Sequence, residues 1–278
     1  MNRELRMLLH SDGSEISSHA LALGKRIARA MAEEVDILAM GDTPKQEQVS
    51  RREVQETASE FQACGIPVTV HERCGATRQG VVQQADAADY GLIVIGSRGR
   101  RGIRRLLAGS RARAVLGGTA TSVLIVKKPE RSEIDHILVC SAAGPASEET
   151  VRFAGRLAHA LDASVTLLHV MSQVALEETA KGADLEAGAD ELMKREAREG
   201  AHLKEMLRIL RDEDLDAEVI VRHGLVVEEV LAEAQAQNYG LVIIGAHVTP
   251  DIKSLVSSDL AEQIMLAATR PVLIVRQG

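Results

Sequence analysis

Short apolar runs alternate with longer amphipathic stretches along the whole chain. Leu5 to His10 reads as a strand, and Ser14 to Glu34 as a helix with apolar positions at Leu21, Ile27, Ala28 and Met31. Val35 to Met40 reads as a strand, about 46–63 as a helix with a polar face, Val68 to Glu72 as a short strand and about 77–89 as a helix. Leu92 to Ile95 shows no alternation at all, which predicts a strand buried on both faces. A helix over about 110–117 then precedes a last strand, Val123 to Lys127. Regular strand–helix alternation with aliphatic strands predicts a parallel sheet covered by helices.

The pattern then starts again. YGLIVIGS (90–97) and YGLVIIGA (239–246) are near copies at an offset of 149, which also carries Gly75 onto Gly224 and Val123–Val126 onto Val272–Val275. Earlier segments repeat at an offset of 130, with Ile37-Leu38 on Leu167-Leu168 and Arg26-Ile27-Ala28 on Arg156-Leu157-Ala158. The difference is a net insertion of 19 residues after Val170, in a polar, acidic stretch. A tandem duplication follows, with domains over 1–128 and 133–278 joined by the charged, proline-containing KKPERSEID (127–135). The expected fold class is α/β: two tandem doubly wound, Rossmann-like units, each a five-stranded parallel sheet with helices on both faces. A longer helix over about 188–211 sets the second copy apart.

Composition narrows this picture. With 45% apolar residues, no Trp, and only Tyr90, Tyr239, Phe61 and Phe153 as aromatics, the core must be aliphatic. A net charge of −7 argues against nucleic-acid binding by bulk electrostatics. Cys64, Cys74 and Cys140 are an odd, scattered set that implies no disulfide framework and fits a reducing compartment. The N-terminal MNRELRMLLHSDGSE lacks the pattern of a signal peptide. No apolar run approaches the roughly 20 residues of a membrane span. A cytoplasmic protein without membrane contact is expected.

Open parallel sheets bind ligands beyond the carboxyl ends of their strands, where the strand order reverses. Two segments of the first copy leave strands carrying ligand chemistry. Ser11-Asp12-Gly13-Ser14 follows the first strand, and GSRGRRGIRRLLAGSR (96–111) follows the fourth. If these strands are neighbours, Asp12 and Gly96 face one crevice. Gly96 and Gly99 let backbone approach an anion. Gly109 precedes Ser110 where a helix begins, and a helix N-terminus is an anion site. The loop is neither a Walker A loop nor a dinucleotide fingerprint. Its six arginines are mostly a solvated face, with Arg98 and Arg111 the two expected to reach phosphates. His71-x2-Cys74 has the spacing of a metal half-site but no partner pair, and reads as an ordinary surface pair.

Gly96-x2-Gly99-x9-Gly109-Ser110 resembles the glycine motif of the ATP-binding universal stress protein family. Ser11-Asp12-Gly13-Ser14-Glu15 is similar to that family's signature after the first strand, and SVLIVKKP (122–129) to its terminal strand. The resemblance covers both copies. It implies an adenine nucleotide alpha hydrolase-like fold and an ATP or other adenine-nucleotide site, with Mg²⁺ as a companion ion. In that site Asp12 lies near the adenosine moiety and Met40 offers backbone hydrogen bonds to adenine. Gly96, Gly99, Gly109 and Ser110 hold ribose and phosphates, and Ser122 and Val123 close the site. The second copy departs from the motif: Ala142 replaces Asp12, Val248 replaces Gly99, Ser258 replaces Gly109 and Asp259 replaces Ser110, while Gly245 keeps the place of Gly96. Nucleotide is therefore expected in the first copy alone. The resemblance implies a nucleotide-binding regulatory protein of the stress response acting on a protein partner, not an enzyme. A slow ATPase and a nucleotide-free scaffold are the alternatives. It also implies pairing of the halves through Val123–Lys127 and Val272–Arg276, with a homodimer of chains as a further expectation.

Overall fold

The structure is a computed structural model and describes residues 5–73, 77–97, 110–127, 134–142, 145–172, 188–194, 198–246 and 252–276. The first copy contains β1 (Leu5–Ser11), α1 (Glu15–Met31), β2 (Ala32–Ala39), α2 (Pro44–Ala63), β3 (Val68–Glu72), α3 (Thr77–Ala85), β4 (Leu92–Gly96), α4 (Ser110–Gly118) and β5 (Ser122–Val126). The second contains β6 (His136–Ser141), α5 (Pro145–Leu161), β7 (Ser164–Ser172), α6 (Ala189–Lys194), α7 (Arg198–Arg211), β8 (Ala217–Gly224), α8 (Val226–Ala236), β9 (Leu241–Ala246), α9 (Ile252–Ala267) and β10 (Val272–Arg276). The chain divides into two compact units. One runs from β1 to β5 and takes in β10, and the other runs from β6 to α9.

In the first unit the strand order is β3-β2-β1-β4-β5-β10. β1 to β5 are parallel, and β10 pairs antiparallel with β5, Val272 facing Ile125 and Ile274 facing Val123. The order reverses between β1 and β4, which is the switch point that the ligand argument requires. Right-handed crossovers place α1 and α2 on one face and α3 and α4 on the other. The contacts agree, since α1 touches α2 and α3 touches α4. Leu92 to Ile95 are wholly buried, as their lack of alternation predicts. In the second unit β9-β6-β7-β8 are parallel neighbours.

Local chemistry sets the element ends. Ser14 caps α1 in a reciprocal box with Ser17, and Thr43 caps α2 with Pro44 at its first position. Helix α1 stops at Met31 although Glu33 and Glu34 are good helix formers. Ala32 turns extended because β2 lengthens to pair with β1, placing Glu34 opposite Arg6 with 3.4 Å between their charged groups. Tertiary pairing overrides propensity here. The long helix expected over 188–211 is seen as α6 and α7, with 195–197 outside the described residues. No helix among the described residues is long and apolar enough to cross a membrane.

Candidate functional site

The carboxyl end of β1 is a closed polar turn. Asp12 is 1% exposed, and its Oδ1 accepts both the N–H and the hydroxyl of Ser14, at 3.2 and 2.5 Å. Gly13 adopts φ +68, and a Cβ there would stand 2.3 Å from the carbonyl oxygen of Gln46 in α2. Glycine is therefore required twice over, for conformation and for space. The turn is pinned from above by α2. Ser50 Oγ donates to Ser11 O at 2.8 Å, and Ser11 Oγ donates to Glu53 Oε2 at 2.7 Å. Ser18 Oγ donates to the other oxygen of Glu53 at 2.5 Å. Sequence reading missed Ser50 and Glu53, because nothing in the linear pattern pairs α2 with residue 11.

β1 and β4 are hydrogen-bonded neighbours, Leu9 level with Val94. Two residues on, Ser11 and Asp12 come level with Gly96 and Ser97, so the two predicted ligand segments do leave the same edge side by side. Packing gives Gly96 a reason to be glycine besides the anion approach expected for it. A Cβ on Gly96 would lie 2.9 Å from the backbone carbonyl of Ile16, in the first turn of α1. A Cβ on Gly245 would likewise meet Thr150 of α5 at 2.5 Å. Close helix packing explains why this one glycine survives in both copies when the rest of the motif does not. Ser110 and Arg111 are the first two described residues of α4. Arg98, Gly99 and Gly109 lie outside the described residues.

Ser122 and Val123 open β5, and Ser122 pairs with Leu92 at the amino end of β4. At about 3.3 Å per residue they sit roughly 10–13 Å from the level of Gly96, toward the opposite edge of the sheet. The Ser122 hydroxyl instead accepts the N–H of Arg276 in β10, at 3.1 Å. They do not close the site. Met40 is at the expected edge, just beyond β2, but its N–H donates to Ser11 O at 3.0 Å. Its carbonyl is the group it can offer a base.

In the second copy the same place is built differently. Ala142 stands where Asp12 does, and its N–H donates to Ser147 Oγ at 3.1 Å. Asp259 lies about two turns inside α9, so a continuous helix runs through the position where α4 starts. No helix N-terminus lies at that position in the second unit.

The universal stress protein family model matches residues 5–127 and again 133–276. The chain belongs to the universal stress protein family. The two matches make the tandem arrangement plain. A universal stress protein of Methanocaldococcus jannaschii is 26% identical over 145 residues, covering 45% of this chain and 84% of that protein. In overall fold the chain is similar to a universal stress protein from Archaeoglobus fulgidus, with a TM-score of 0.70, 19% identity and 98% of each chain covered. It is also similar to a functionally unknown protein from Pseudomonas aeruginosa, with a TM-score of 0.69, 13% identity, and 97% of this chain and 92% of that one covered.

Proposed function

We propose that this universal stress protein is a cytoplasmic regulatory protein, not an enzyme, whose first unit binds ATP or another adenine nucleotide. The observation that carries the reading is the switch point between β1 and β4, where the Asp12 turn leaves the sheet beside Gly96 and Ser97. The two sides suit different parts of one ligand. Asp12 and Glu53 present carboxylates, which accept hydrogen bonds and suit the hydroxyls of a ribose or the amine of adenine. Amide N–H groups of the glycine motif and of the first turn of α4 would suit phosphates. Arg98 and Arg111 would add charge there, with Mg²⁺ as the companion ion. Nucleotide binding would then set the surface that a protein partner reads.

Replacing Gly109 with Asp puts a carboxylate where phosphate is expected, and replacing Asp12 with Ala removes the acceptor at the other end. By calorimetric titration with ATP and Mg²⁺, we expect Gly109→Asp to weaken binding by at least about 100-fold and Asp12→Ala by about tenfold. Wild-type affinity in Gly109→Asp would remove the loop from the site.

A further inference from the structure

The second unit carries an imidazole cluster at the edge where the first unit carries its polar turn. His169 is 5% exposed near the end of β7, and its Nδ1 lies 3.2 Å from the carbonyl oxygen of Ser141 at the end of β6. A carbonyl can only accept, so Nδ1 holds the proton and Nε2 of the neutral ring is the basic atom. The rings of His169 and His202, in α7, have centroids 5.6 Å apart. His223, near the end of β8, repels a charge on His169.

Comparison of the copies shows what this cluster replaces. Ser141 corresponds to Ser11. Helix α7 precedes β8 as α2 precedes β3, and the offset of 149 places Glu199 on Ser50 and His202 on Glu53. In the first unit the Ser11 carbonyl is held by the Ser50 hydroxyl and the Ser11 hydroxyl by Glu53. In the second unit the matching carbonyl is held by an imidazole, with a second imidazole against it. A proton added at Nε2 of His169 leaves its bond to the Ser141 carbonyl in place, so acid acts through the charge it puts on a buried ring packed against a second imidazole.

We infer that the His169–His202 pair is a proton-operated latch holding α7 on the carboxyl edge of β6 and β7, and that mild acid releases it. A proton on Nε2 of His169 would put a buried cation beside the His202 ring, and Arg198 in the first turn of α7 opposes a second one. Burial is the main cause that holds both rings below the ordinary histidine value, His202 at about 4. Repulsion from His169 and from Arg198 adds to this for His202, and repulsion from His223 adds to it for His169. Glu199 pulls the other way on both rings, as does the Ser141 carbonyl on His169. The other charged and titratable groups are Lys204, Glu205, Arg208 and Arg211 of α7, with Glu205 and Arg208 paired, and Glu148, Glu149, Arg152, Arg156 and His159 of α5, with Arg152 beside Glu205. Asp190, Glu191 and Lys194 lie on α6, Arg222 of β8 is paired with Glu233, and Glu229 of α8 lies against Gly224.

The sign is fixed by linkage. An unfolded or released histidine takes its proton near pH 6.5, but the latched rings do not. Between about pH 6.5 and 4 the open state binds more protons, so the latch is fully held above that window and lost as pH falls through it.

Hydrogen exchange on the full chain tests this, with β1 to β4 as an internal reference. After correction for intrinsic exchange, opening of α7 should rise roughly tenfold between pH 7 and 5 in the wild type. The rise should be clearly smaller in His202→Gln, where His169 alone remains, while β1 to β4 remain unchanged in both. A wild-type α7 indifferent to pH, or a response equal in His202→Gln, would overturn the inference. If His202→Gln does not fold, the imidazole resonances of the wild type decide. His202 titrating well below 6 supports the latch, and titration near 6.5 contradicts it. The inference stands apart from nucleotide binding in the first unit.

Discussion

Removing residues 269–278 is expected to leave a chain that does not persist as a soluble monomer. β10 supplies Val272, Leu273, Ile274 and Val275, none more than 4% exposed. They cover β5, which is itself buried along all five residues. At about 1.5–3 kcal/mol per fully buried aliphatic side chain, these four contribute about 6–12 kcal/mol, comparable with the whole stability of a typical domain. Truncation also bares a flat, aliphatic edge strand, which invites pairing with another chain. The polar contacts of Arg276 go too, from its N–H to Ser122 Oγ and from its guanidinium to the carbonyl of Thr119. Size-exclusion chromatography with light scattering should show dimers or larger species, and the urea midpoint should collapse. Leu273→Asp should do nearly as much with one residue. A monomeric truncated chain with an unchanged midpoint would mean that β10 is dispensable.

The second large effect concerns a buried polar network that the two copies build with transposed charges. In the first unit Asp36 is wholly buried on β2 and accepts from Arg6 at 2.7 Å and from the Tyr90 hydroxyl at 2.5 Å. His71 Nε2 lies 3.4 Å from its other oxygen. Gln84 donates to Tyr90 at 3.0 Å and accepts from Arg73 at 2.9 Å. Burial and the Asp36 hydrogen bond push the Tyr90 phenol up to about 12, so it stays a donor at any ordinary pH. In the second unit the positions of Asp36 and Gln84 hold Thr166 and Glu233. Glu233 there accepts from Tyr239 at 3.0 Å and from Arg222 at 2.6 Å. Each unit keeps one carboxylate for its tyrosine, and the carboxylate has moved from strand to helix. Asp36→Thr alone removes the acceptor shared by Tyr90 and Arg6, and should cost about 2–4 kcal/mol in chemical denaturation. Adding Gln84→Glu recreates the other unit's arrangement, with Arg73 in the place of Arg222. It should recover at least about 1 kcal/mol, measured as the coupling in a double-mutant cycle. Additive losses would show that the two networks are unrelated.

Much of this protein is legible in its sequence, and the limits have physical causes. Apolar runs such as Leu92–Ile95 announce buried strands because both faces are covered. The duplication announces itself in YGLIVIGS and YGLVIIGA. The Asp12 turn and the start of α4 are local events, read from caps and glycines. What escapes is whatever depends on contact between distant segments. Glu53 reaches Ser11 only because α2 folds over β1. Gly96 is held to glycine by the approach of Ile16. Ser122 looked like part of the site because a sequence motif does not say which end of a strand it occupies. The shift of a carboxylate from Asp36 to Glu233 is visible only once both are seen beside a tyrosine.

The account stands on one unit being a nucleotide site and the other not. Counting adenine nucleotide per chain tests this most directly, on protein saturated with ATP and Mg²⁺ and freed of excess ligand. With no Trp and only two Tyr, the protein absorbs little near 280 nm, so bound adenine dominates the ultraviolet spectrum. One nucleotide per chain is the predicted result, falling to none in Gly109→Asp. Two per chain would show that the second unit binds despite Ala142 and Asp259, and none in the wild type would leave the glycine loop without a ligand.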